Sequence, residues 1–300
     1  MNRIDSPWGR LYATPAGLAP SVTTVLKATD PKPFSPARWR DSIIRKGISA
    51  ADAERYAPVF AARHGLEALA LAHRVLEDWI EQPLPYALAE ARAHAEAFTA
   101  WKSEHSGRRG DALHAHLEEL LPVGQPLQWN EAPAAVDPTT SALLASLWSG
   151  EVLHDIAEVL SVEQRLWYWS KGIGYAGSED ICYRSHRHGL LCGDWKTKDP
   201  KPYCPSKYGE DYKLQLVAYA GARAARLGTR VEGLAINYCF TDGSPAVQTV
   251  VGADELARLW LQWQARLKAW WATMGPELAR WNTQRPDPVE TVDPAQCVPL

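Results

Sequence analysis

The densest set of residues suited to chemistry lies between Gly174 and Ala220. Within LLCGDWKTK (Leu190 to Lys198), an apolar start turns charged, as a buried strand does on reaching a site. Asp194 and Lys196 are two apart, so on a strand they share a face, and Trp195 takes the other. An acid and an amine at a buried strand end are costly unless something uses them. A second carboxylate, Asp180, lies in YAGSEDICY (Tyr175 to Tyr183), which also reads as a strand. The intervening RSHRHG, Arg184 to Gly189, folds the two into a hairpin and brings Asp180 beside Asp194. Two carboxylates beside a lysine suit a hard cation such as Mg2+ or Mn2+. Lys196 then holds a water nucleophile or offsets developing negative charge. A plain salt bridge at a strand end would give the same D-x-K. A helix over Tyr212 to Ala220 places Gln215 and Tyr219, four apart, on one face, where they orient a phosphate or the lysine.

Other segments add charge and rings. SGRRGDALHAHLEELL (Ser106 to Leu121) reads as a helix after Gly110, with His114 and Glu118 on one face beside a leucine stripe. His116 lies about 200° around that helix from His114. Arg108 and Arg109 stand at its start, where phosphate is favoured. Arg38, Trp39 and Arg40 interleave base and ring within Asp30 to Lys46. After the D-x-K comes a loop with Lys198, Lys201, Tyr203, Lys207 and Tyr208. Residues 198 to 230 carry seven Lys or Arg against three Asp or Glu. Charge and stacking together suit single-stranded DNA.

Taken in order, Gly177 to Asp180, Asp194 to Thr197 and Gln215 to Tyr219 resemble the G-x-x-D, D-x-K-T and Q-L-x-x-Y motifs of the PD-(D/E)XK nuclease superfamily, in its RecB-like exonuclease branch. Gly110 to Glu118 resembles that branch's first motif. Pro20 to Leu26, PSVTTVL, resembles an N-terminal signature of phage and mitochondrial members. The resemblance implies a restriction-endonuclease-like core and metal-dependent cleavage of DNA. It implies a metal held by His114, Asp180, Asp194 and the Trp195 carbonyl, with Glu163 as an auxiliary acid. The family usually has an apolar residue before the first Asp. Here it is Glu179, so either Glu179 or Asp180 faces the metal; strand register favours Asp180, with Glu179 and Ile181 on the opposite face. An endonuclease and an inactive DNA-binding domain are the rival readings. G-x-G-x-x-G at Gly172 to Gly177 is a decoy, because a strand follows it and not a helix.

The five cysteines include no C-x-x-C, which fits reduced thiols in a cytosol. With no cysteine before Cys182 and no C-terminal group, no iron–sulfur cluster is expected. The N-terminus lacks a signal-peptide core and no apolar run approaches a membrane span, so a cytoplasmic chain is expected. The net charge of −3 leaves room for a local basic groove. The expected fold is α/β, a central mixed sheet flanked by helices. An arm and helical region (1–105) would precede a nuclease core (106–275) and a Pro-rich tail (276–300). Residues 1 to 20 read as an irregular arm, and 141 to 160 as helical.

Overall fold

A computed structural model describes residues 1–124, 137–199 and 209–290. The chain divides into two compact units, one of residues 1–33 with 109–300, the other of residues 34–108.

The first unit is built on a five-stranded mixed sheet flanked by helices. Its strands are β4 (Ile156–Ser170), β5 (Ile173–Ser185), β6 (Gly189–Lys198), β7 (Gly233–Phe240) and β8 (Val247–Val251), side by side in that order. Neighbours are antiparallel except β6 and β7, which run parallel. A parallel pair needs a crossover, and the helix α8 (Gly209–Leu227) lies in it. Interior β7 is buried along its whole length, as a strand covered on both faces must be. One face packs on α8 and the long α9 (Ala253–Thr283) through Leu216, Val217, Trp263 and Trp270. The other packs on α6 (Pro138–Ser149), α7 (Glu151–His154) and the end of α5 (Leu88–Leu120) through Leu113, Leu117, Leu143 and Trp195. No described helix is long and apolar enough to cross a membrane.

Residues 1 to 20 are not irregular. They form β1 (Asn2–Ser6), β2 (Gly9–Thr14) and β3 (Gly17–Pro20), an antiparallel meander. The prolines and glycines that read as breakers are its turns: Pro7 and Pro15 sit in the two-residue connections, and Gly9 and Gly17 take φ of 122° and 124°. Leu11 and Leu18 join the same core as α8. Ser21 then caps α1 (Val22–Ala28), accepting from the Thr24 amide. The expected helix over 141–160 ends early, because Gly150 breaks it and β4 has begun by Ile156. The expected tail from 276 begins later, because the long last helix continues through Pro276 to Thr283; beyond it Val289 is pinned back, its carbonyl accepting from Asn282 and its amide donating to the same side chain.

The second unit is helical. It holds α2 (Pro36–Lys46), α3 (Ala50–His64), α4 (Leu69–Glu77) and the first part of α5. Its core joins Tyr56, Phe60, Leu76, Trp79 and Phe98. The reading of 50–101 as helix broken near Pro83 and Pro85 holds in part: there is a second break, where left-handed Gly65 ends α3 before α4 begins at Leu69.

Candidate active site

The site forms where β5 and β6 part. Their ladder runs from Ser185–Gly189 to Ile181–Gly193 and stops. Beyond that point the Trp195 amide donates to the Asp180 carboxylate at 2.9 Å. So a side chain replaces the backbone partner, and Asp180 is aimed into the gap. Asp194, fully buried, follows one step along β6. Its Oδ2 lies 2.5 Å from Lys196 Nζ, and its Oδ1 accepts from Gln215 Nε2 at 3.1 Å. The strand reading thus places Asp194 and Lys196 correctly, with Trp195 on the opposite face among Leu113 and Leu143.

His114 enters from α5. Its Nε2 is 3.6 Å from Asp180 Oδ2, and its Nδ1 is 2.9 Å from Glu163 Oε1. Ser178 donates to the other Glu163 oxygen at 2.9 Å. Glu163 has φ of 46°, in the left-handed region. Such a conformation costs a non-glycine residue about 1–3 kcal/mol and gathers at functional sites. One ligand atom from each of His114, Glu163 and Asp180 can be chosen so that all lie within 4.8 Å of one another. Two carboxylates and one imidazole form a donor set that fits Mn2+ or Mg2+.

The charges support one another. Burial pushes the Asp180 carboxyl up, the Asp194 charge beside it adds to this, and the group reaches about 8. Burial lowers His114, but the Glu163 hydrogen bond and the Asp180 charge outweigh it and lift the imidazole to about 9. Burial also lowers Lys196, and the adjacent Asp194 reverses that, so Lys196 is held as an ammonium. Lys196 Nζ lies 4.7 Å from the centre of the Tyr212 ring, a cation–π contact. Lys198 donates to the Tyr212 hydroxyl at 3.0 Å.

Other expected residues fall elsewhere. Glu118, one turn beyond His114, is exposed and lies outside the three-ligand group. Arg109 is buried and binds Asp199 at 2.7 Å, so it ties α5 to the end of β6 and is not offered to a phosphate. Arg108 is exposed and pairs with Glu104; Arg40 pairs with Glu96; Trp39 stacks edge-on with exposed Phe34, and Arg38 is exposed. Lys201, Tyr203, Lys207 and Tyr208 lie outside the described residues. Sequence reasoning missed Ser178, and it read Tyr212 only as one ring of the charged loop; its place beside Lys196 could have been found from its position three residues before Gln215 on α8. It also misplaced Ile181. Glu179 turns to α8, where it meets Arg223, whereas Ile181 joins the opposite cluster with Leu113 and Trp195.

Tyr219 is buried, with its ring against Gly177. A Cβ on Gly177 would sit 2.6 Å from Tyr219 Cε1. Gly177→Ala is therefore expected to cost about 1–3 kcal/mol in denaturant melts, and Tyr219→Leu beside it to recover part of that loss. An unchanged midpoint would show that the ring moves freely.

Over 163 residues, 53% of its length, the chain is 30% identical to "Mitochondrial genome maintenance exonuclease 1" of Homo sapiens. The same protein of Xenopus tropicalis matches equally, and that of Mus musculus at 31%. This chain is similar to named exonucleases. The match spans under half of each relative, 44% for the human protein. No family model matches. A likeness to the solved structure of SSO0001, with 13% identity, TM-score 0.28 and 77% and 83% of the two chains covered, is too distant to bear on the fold.

Proposed function

We propose that this chain is a metal-dependent DNA exonuclease of the PD-(D/E)XK superfamily, RecB-like branch, that trims single-stranded ends in DNA repair, recombination or phage replication. The convergence of Asp180, Asp194, Lys196, His114 and Glu163 at the parting of β5 and β6 carries this reading, and the similarity to named exonucleases supports it.

His114, Glu163 and Asp180 would hold the cation, with Asp194 and the Trp195 carbonyl beside them. Bound there, Mg2+ or Mn2+ would polarise the scissile phosphate and stabilise the charge it gains. Lys196, an ammonium fixed by Asp194, donates to the attacking water and offsets negative charge on the phosphate. Gln215 keeps the Asp194 carboxylate facing the amine by holding its other oxygen. Tyr219 acts through packing, keeping α8 seated over Gly177. Arg38, Trp39 and Arg40, with the charged loop after Lys198, are the candidate grips for the strand.

Digestion of 5′- and 3′-labelled single-stranded, double-stranded and circular DNA, with Mg2+ or with EDTA, tests this. Linear single strands are expected to shorten only with metal while circles survive. Cut circles would make the chain an endonuclease. DNA that is bound but left intact under both Mg2+ and Mn2+ would end the nuclease reading.

A further inference from the structure

Two acids stand next to each other at the site, Glu179 and Asp180, and both are buried. Only Asp180 joins the His114 and Glu163 group. Glu179 accepts from Arg223 Nε, with both carboxylate oxygens 3.0 Å away, and its Oε2 also accepts from the Ser161 hydroxyl at 3.3 Å. The pair is almost wholly hidden, 4% exposed for the Arg223 side chain and 0% for that of Glu179.

A buried ion pair is poor evidence of stabilisation. Desolvation of both charges can match or exceed their attraction, and an apolar pair of similar volume packs as well. Its placement suggests another use. Gln215, Tyr219 and Arg223 are spaced by four and form one row along α8. Each meets a different part of the site: Asp194, Gly177 and Glu179.

The row ends where strand alternation breaks. Tyr175, Gly177 and Glu179 face α8; the Tyr175 hydroxyl donates to the Ala218 carbonyl at 2.7 Å. Regular alternation would carry Ile181 to the same side. Ile181 instead packs on the opposite face. The pairing keeps its register across this point, with Val162 opposite Ile181 and Gln164 opposite Glu179, but Glu163, between them, has the left-handed backbone. At such a pivot a small slip exchanges one carboxylate for its neighbour. Either would then serve the same donor position.

We propose that Arg223 is a positioning residue that selects between these acids: by holding Glu179 on α8, it leaves Asp180 as the carboxylate that enters the metal group. This rests on the nuclease reading above. The selectivity is a property of this chain's Glu179, since an apolar residue there would offer no rival ligand.

The test uses the full chain and four variants: Arg223→Met, Arg223→Lys, Glu179→Gln, and Glu179→Gln with Arg223→Met. Mn2+ binding is followed by electron paramagnetic resonance, and kcat and KM are measured on labelled DNA. Arg223→Met is expected to weaken Mn2+ binding by about tenfold or more, as loss of a ligand-orienting partner does, and to lower kcat with KM little changed. Adding Glu179→Gln should restore both, because the rival charge is gone. Glu179→Gln alone should bind Mn2+ as the unmodified chain does. A pair that only stabilises the fold would lower the melting temperature and leave Mn2+ affinity of the folded protein unchanged, which would overturn the proposal. So would a double variant as weak as the single one. If Arg223→Met does not fold, Arg223→Lys and the double variant carry the same comparison. An unmodified chain that binds Mn2+ but cuts no DNA removes the nuclease reading, and the Mn2+ comparison still decides the role of Arg223.

Discussion

Asp194→Asn is expected to lower kcat by on the order of 10³-fold, with DNA affinity nearly unchanged. The amide has the shape of the carboxylate and can keep the Gln215 hydrogen bond. It removes the charge that holds Lys196 as an ammonium and that would face the metal. Lys196→Met should produce a loss of similar size, because the buried aliphatic stem is retained while the donor to the water is lost. The double variant should be about as slow as either single one, since residues that act as a unit are not additive. Single-turnover digestion with saturating Mg2+ checks all three. A fall of less than tenfold for both single variants would mean that this pair is an ordinary strand-end salt bridge.

The largest stability effect is expected in the other unit, at Gly47. It ends α2 with φ of 73° and ψ of −160°, a region open almost only to glycine. Its amide donates to the Ile43 carbonyl at 2.8 Å, and Ile48 then bonds to the Trp79 carbonyl at 3.0 Å. A Cβ there would fall 1.9 Å from that Trp79 carbonyl oxygen. Backbone fixed in this way cannot step aside as a flexible side chain does. Gly47→Ala therefore combines strain with a backbone clash, and about 3 kcal/mol or more of destabilisation is expected for residues 34–108. Hydrogen exchange resolved by segment would read this as lost protection within 34–108 and retained protection in the five-stranded sheet. Uniform loss, or none, would contradict it.

Chemistry was legible where periodicity was regular. Asp194, Trp195 and Lys196 follow simple alternation, and Gln215 and Tyr219 follow helical spacing, so each appears where counting puts it. Alternation failed at Asp180 because the strand breaks its own rule there. Placing Glu179 and Ile181 together was the natural reading of a period of two, and Arg223 lies too far along the chain to announce the exception. Arg108 and Arg109 failed for a different reason: no helix starts there, because α5 runs unbroken from Leu88 through Gly107 and Gly110 to Leu120, so its backbone amides are already used within the helix, and Arg109 is paired with Asp199. The N-terminal meander was hidden because Pro and Gly mark turns and irregular chain alike. The regular spacing of Pro7–Trp8 and Pro15–Ala16 between short segments of four to six residues was the signal that could have separated them.

The separations within the site have a consequence for how it comes into being. Asp180 and Trp195 are 15 residues apart, so their hairpin can close early and locally. Gln215 reaches Asp194 across 21 residues, Arg223 reaches Glu179 across 44, and His114 reaches Glu163 across 49. Contacts of longer range pay more loop-closure entropy and form later on average. The two aspartates are thus expected to meet before the helix row and the imidazole arrive. A half-folded chain would hold the acids without their organising partners, and the complete constellation would emerge only as folding ends.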